Sequence, residues 1–219
     1  MQDTPISLLD REQALLYTAA STVEEFVAAA HSRELLTIRR REVRLPADDQ
    51  AFFTAYPDVI HWLVVVADDS PDTVAVLPVL ATIAALCIQI DLRVLHDDEA
   101  PAFLAALMHD PEAARLPAEA DLPLLLTFDE EWHLLDQWGP HPQAIEPYLD
   151  RWLAEHPEFE VLAEDESPAG LVAYHRLLDL LTQEMRLWYN SSLTTALSGE
   201  LRALLTRLHE GHDDENNGA

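Results

Sequence analysis

The chain contains no lysine. All 13 of its basic residues are arginine, set against 40 acids, for a formal net charge of -27 over 219 residues. A surface of that sign repels phosphate backbones and anionic lipid heads, so neither nucleic acid nor membrane is an expected partner. A high-salt cytoplasm and a GC-rich genome both produce such a composition, and the sequence does not separate them. Cysteine occurs once, as Cys87. A lone thiol excludes an intrachain disulfide, a Cys-x-x-Cys pair and a cysteine zinc site. Long apolar runs are also missing: 60–67 is too short to span a bilayer, and 74–90 is broken by Pro78. Residues 1–20 lack the basic start and small-residue cleavage pattern of an export signal, so a soluble cytoplasmic protein is expected. The 49% hydrophobic content is that of a folded, globular chain.

What is present centres on residues 62–83, WLVVVADDSPDTVAVLPVLATI. The apolar run 59–67 does not alternate and reads as a strand buried on both faces. Ser70-Pro71-Asp72 then opens a helix over 73–87. Ser70 is expected to cap it through its hydroxyl. Pro71 stands at the first helical position, where a missing N–H costs nothing. Asp72 places negative charge at the positive end of the helix dipole. Pro78 is expected to kink the helix.

Around this unit the pattern predicts strands at 88–95, 122–128 and 132–137, the last two forming a hairpin, and helices at 99–108 and 143–156. The order β-α-β-α-β-β-α implies an α/β domain whose sheet mixes parallel pairs with one antiparallel hairpin. Short helices are expected at 11–20, 21–32 and 47–56. The stretch 34–45 is undecided, and its cluster Arg39-Arg40-Arg41 with Arg44 reads as a solvated or salt-bridged face, with an anion site the weaker alternative. Residues 157–170 read as a loop or linker, 171–188 and 194–209 as helices joined by Asn190-Ser191-Ser192, and 211–219 as a disordered polar tail. The expected organisation is therefore an N-terminal helical extension (1–58), an α/β domain (59–157), a C-terminal helical extension (158–210) and the tail (211–219).

This element order, with helix entry directly after the first strand, Pro78 five residues beyond Thr73, and Pro123 opening the third strand, resembles the thioredoxins. The chain is similar in particular to bacterial thioredoxin family proteins with helical additions at both ends. The matching stretches are 62–65, Leu77-Pro78-Val79, Asp97-Asp98-Glu99, Trp138-Gly139-Pro140-His141-Pro142, and Trp188-Tyr189-Asn190 followed by the helix at 200–205. The resemblance implies a thioredoxin-like fold and a cis bond before Pro123. It also implies a redox site where the group carries Trp-Cys-Gly-Asp-Cys or Trp-Cys-Gly-Asp-Ala. Here the chain reads Asp69-Ser70-Pro71-Asp72-Thr73. Ser70 stands for the attacking cysteine and Thr73 for the resolving position.

That replacement decides the chemistry. Thiol–disulfide exchange needs a thiolate that attacks a disulfide sulfur. A serine hydroxyl scarcely ionises near neutral pH, and oxygen cannot carry the redox couple. A hydrolase role for Ser70 would need a positioned base and an oxyanion hole. His61 and His96 are the candidate bases, but no G-x-S-x-G elbow is present, and a helix-capping role is preferred. Cys87 closes an apolar stretch and reads as a buried structural thiol, with a redox-sensing or peroxide-reactive thiol as the alternative. The ten histidines show no zinc-site spacing, and His209-x-x-His212 before Asp213-Asp214-Glu215 reads as charged tail, so neither metal nor cofactor is expected.

The function expected is a thioredoxin-like protein without the redox pair, acting as a non-catalytic module for an unidentified protein or peptide. Its groove would comprise Asp69, Ser70, Pro71, Asp72, Thr73, Leu122, Pro123, Trp138 and His141. The alternative is a thiol-dependent oxidoreductase or peroxidase acting through Cys87. An assembly role for the C-terminal helices is a third option.

Overall fold

The computed structural model describes residues 8–217 apart from Asp69, with side chains over 11–211 apart from that residue. Four helices come first: α1 (Leu8–Ala19), α2 (Val23–Ala29), α3 (Arg33–Glu42) and α4 (Ala47–Ala55). A reciprocal capping box starts α2: the Thr22 hydroxyl accepts from the Glu25 N–H, and the Glu25 carboxylate accepts from the Thr22 N–H. Ser21, expected inside that helix, instead pairs antiparallel with Val94. The undecided stretch resolves as α3.

A β-α-β unit follows: β1 (Ile60–Val66), α5 (Pro71–Leu86) and β2 (Ile90–His96). Pro78 lies buried within α5, which continues through it. Next come α6 (Ala100–Leu107), a 3-10 turn (Pro111–Arg115) and α7 (Leu116–Glu119). The hairpin is β3 (Leu124–Phe128) with β4 (Leu134–Trp138), and a second 3-10 turn (Gln143–Ile145) leads into α8 (Glu146–Glu155). The chain ends in α9 (Glu158–Ala163), α10 (Pro168–Trp188), a π-helical turn (Tyr189–Leu193) and α11 (Thr194–Asn217).

The sheet order is β2-β1-β3-β4. Only β1 and β2 are parallel; β3 runs antiparallel to β1 as well as to β4. The expectation of several parallel pairs is thus corrected. The connection after β2 leaves and re-enters the sheet at one end, where Leu95 and Leu124 flank Val65, so β3 must descend.

Because β1 is covered on both faces, its residues are apolar without alternation. Trp62, Val64 and Val66 pack into a core with α3, α4, α5, α10 and α11, while Leu63 and Val65 face α1, α6 and Phe128. The Tyr17 hydroxyl donates to the carbonyls of Trp62 (2.9 Å) and Asp91 (2.8 Å), fastening α1 to the edge of both parallel strands.

Two further readings change. The segment read as a loop at 157–170 contains α9, whose Phe159 packs on Trp152. The helix α11 passes Gly211, where the sequence suggested the tail begins, because one glycine costs a helix only about 1 kcal/mol. The arginine cluster also splits. Arg40 pairs with Glu24 at 2.9 Å on the surface, whereas Arg39 is 1% exposed. Arg39 donates to Asn190 Oδ1 (2.9 Å) and Thr194 Oγ1 (2.6 Å) and lies over the Tyr189 ring. The same junction is held by Glu42, which accepts from Arg186 Nε (2.7 Å) and Asn190 Nδ2 (3.1 Å). The Arg186 guanidinium holds the Glu42 carboxyl down at about 2.

Candidate functional site

The redox position of the resembled fold lies at the carboxyl end of β1, where the chain turns into α5. Ser70 is the N-cap of α5 by position, but its hydroxyl makes no capping hydrogen bond. The expected capping role of that hydroxyl is therefore corrected. The cap is the backbone: the Ser70 carbonyl accepts from the Val74 N–H at 3.2 Å. Its φ, ψ pair of -72° and 129° is the extended geometry usual at an N-cap, and Ser70 is half-buried. Pro71 occupies the first turn and is buried. Thr73, at the resolving position, is 0% exposed, and its Oγ1 has no hydrogen-bond partner. Asp69 lies outside the described residues.

Three elements converge on this turn. Asp72 Oδ1 lies 3.0 Å from His141 Nδ1, tying the first turn of α5 to the segment after β4. That segment is tied in turn to Pro123. Gly139 has φ +141°, and a Cβ placed there would stand 2.1 Å from the Pro123 carbonyl oxygen. Only a residue without a side chain allows the two backbones to approach so closely. The bonds before Pro123 and before Pro140 are both cis. Pro123 itself is buried, whereas Leu122, Trp138 and His141 are half-buried. The structure therefore brings Asp72, Pro123, Gly139 and His141 into one constellation, with Ser70 and Thr73 on the same helix start.

The arrangement has no thiol. Cys87 sits at the other end of α5, about 24 Å along a helix of this length, and is 1% exposed. Burial pushes its thiol pKa up, opposite to the direction a reactive cysteine needs. Iodoacetamide is expected to leave Cys87 unmodified in the native protein and to label it only after denaturant is added, as read by mass spectrometry. Rapid native labelling would revive the thiol reading. A serine-hydrolase reading gains no base. His61 stacks on Trp132 (4.3 Å, 8°), and His96 packs against Phe26. His141 Nδ1 meets Asp72, and among the described residues no histidine hydrogen-bonds the Ser70 hydroxyl.

Several contributors escaped the sequence reading. Glu200 of α11 accepts from Trp138 Nε1 (2.8 Å) and from the Gln143 N–H (2.9 Å), clamping the segment that carries His141. Asp68 accepts from the His31 N–H (2.9 Å) and contacts the His31 ring (3.0 Å), while the Ser32 hydroxyl donates to the Asp68 carbonyl at 3.2 Å. Burial raises the Asp68 pKa, but the His31 contacts outweigh it and hold the carboxyl below its ordinary range. Beneath the site, Tyr189 is buried without a hydroxyl partner, and burial followed by the Asp72 charge raises its pKa. Away from the site, Asp129, Glu131 and His133 converge within 4.8 Å on the β3–β4 turn, a grouping that histidine spacing alone did not single out.

No curated protein matches the chain. Two crystal structures are similar to it. One is a Pseudomonas aeruginosa protein of unknown function, with 20% identity and a TM-score of 0.50, covering 80% of this chain and 94% of that one. The other is an epitope scaffold for HIV, with 19% identity, a TM-score of 0.49 and the same coverage. Among the described residues no helix is long and apolar enough to cross a membrane. A family model described as thioredoxin matches residues 20–153, more than half of the chain, and takes in the β1–α5 turn, Pro123 and the Trp138–His141 segment. The chain belongs to the thioredoxin family.

Proposed function

We propose that the protein is a redox-inactive thioredoxin-like module that receives an extended peptide or a partner protein in the groove formed by Ser70–Thr73, Leu122–Pro123 and Trp138–His141. The observation that carries the reading is a retained frame without its reagent. Asp72–His141 and Gly139–Pro123 hold the three segments together, while the sole cysteine is buried at the far end of α5. An extended chain laid beside residues 122–123 would use backbone groups as in strand addition. The Ser70 hydroxyl and the half-buried Trp138 and His141 side chains would supply selectivity. A cytoplasmic address goes with this reading, since the fold is run without any disulfide.

Two measurements test it. Insulin reduction with dithiothreitol is expected to run at the rate of the dithiothreitol blank, because no attacking thiolate is available. A rate well above the blank would overturn the non-catalytic reading. Proteins retained from native lysate by wild type are expected to be lost by Ser70→Trp, which fills the groove. An unchanged retained set would remove the groove from the account.

A further inference from the structure

A cavity lies at the opposite pole of the sheet, a strand length from Ser70. It measures about 480 Å³, within the range of about 300–1,000 Å³ usual for small-molecule sites. Its walls come from the start of β1, the β3–β4 turn and the last turns of α11. One side is apolar, with Val59, Ile60, Leu135 and Leu208. Leu135 is 40% exposed on the edge strand, with no neighbouring strand beyond it. The rim is acidic: Asp58 meets His209 Nδ1 at 2.8 Å and Asp129 meets His133 Nδ1 at 3.1 Å, while Glu130 and Glu131 are exposed. The one arginine lining it, Arg207, is held by Asp136 at 3.0 Å. Tyr56 lines the inner wall and is 5% exposed; its hydroxyl, near the Asp58 carboxylate, makes no hydrogen bond.

We infer that this cavity is a second binding site, separate from the thioredoxin-type groove, for a small organic ammonium ion with an apolar body. An apolar wall under an acidic rim, on which Glu130 and Glu131 are exposed, matches a ligand with a hydrophobic part and a cationic head. Burying the hydrophobic part supplies affinity, and the acids select the charge. A small anion would meet the rim acids on a chain that is already strongly negative. A bare metal ion would leave the apolar wall unused.

Methyl-resolved NMR titration of the full chain tests this, with 2-phenylethylammonium as the probe and 2-phenylethanol and 3-phenylpropionate as its neutral and anionic counterparts. The ammonium is expected to bind saturably with a Kd below about 1 mM and to shift the Ile60, Leu135 and Leu208 methyls. The alcohol is expected to bind at least about tenfold more weakly, and the carboxylate not to bind. The exposed pair Glu130→Gln/Glu131→Gln is expected to weaken the ammonium by about tenfold with an unchanged fold. Equal binding of alcohol and ammonium, shifts confined to other methyls, no saturation, or no effect of the double substitution would each overturn the site.

Discussion

Arg39→Ala is expected to lower the unfolding free energy by about 3–4 kcal/mol, seen as a reduced urea midpoint at unchanged slope. Arg39 is 1% exposed and spans from the N-terminal helices to the junction of the C-terminal pair. The substitution removes two charge-assisted hydrogen bonds, each worth about 1.5–3 kcal/mol, and leaves Asn190 Oδ1 and Thr194 Oγ1 without their donor. It also opens a cavity over the Tyr189 ring. Against these losses stands the removal of a buried charge, whose cost is visible in a guanidinium pKa pushed down by burial to about 10. Arg39→Met separates the two effects. It refills most of the volume without the charge, and the loss is expected to fall to about half. Equal losses for both variants would make the hydrogen bonds, not the packing, the governing contribution. A loss below about 1 kcal/mol for alanine would show that the junction does not depend on Arg39.

Gly139→Ala is the second large effect expected: about 3 kcal/mol, or roughly 6–12 °C in Tm for a chain of this size. Two costs coincide at this position. The φ of +141° is a backbone region that side-chain-bearing residues rarely adopt, and the new Cβ would lie 2.1 Å from the Pro123 carbonyl oxygen. That neighbour is backbone at the start of the fully buried β3, so it cannot swing aside as a flexible side chain would. Relief requires moving the His141 segment away from Pro123 and from Asp72. Gly199→Ala is the control. On α11 a Cβ meets nothing within 4 Å, and gains of about 0.5–1 kcal/mol are expected from helix propensity alone. Differential scanning calorimetry on both variants measures the contrast. A Tm for Gly139→Ala within about 2 °C of wild type would contradict the close approach.

Much of the domain was legible in the sequence because local rules agreed with one another. The unbroken apolar run of β1 signals a strand covered on both sides, and the Pro71-Asp72 opening of α5 combines a fixed φ with a favourable dipole charge. The misreadings have local causes. Ser70 looks like a side-chain cap because its residue type favours that role, yet the hydroxyl makes no such bond. The parallel partner of β1 follows from the β-α-β crossover, whereas the direction of β3 depends on which end of the sheet the 97–123 connection returns to. The helix α9 is too short for periodicity to reveal it.

The site divides in the same way. That disulfide exchange through Ser70 and Thr73 is lost was settled by composition, since one cysteine cannot form the couple. The contacts that hold the segments around the β1–α5 turn were not readable: His141 meets Asp72 across 69 residues, Trp138 meets Glu200 across 62, and His31 meets Asp68 across 37. Arg39 shows the limit most clearly. Within Arg39-Arg40-Arg41 nothing local distinguishes one guanidinium from the next, and only packing against the C-terminal pair, 151 residues away, buries the first and leaves its neighbour on the surface. Sequence by itself determined the order of elements, the two-sided burial of β1 and the absence of a redox pair, because these rest on covalent identity and short-range periodicity. Tertiary structure alone decided which polar side chains are sequestered and paired, and where an acid-rimmed cavity opens, because those outcomes depend on partners that the chain brings together only when it folds.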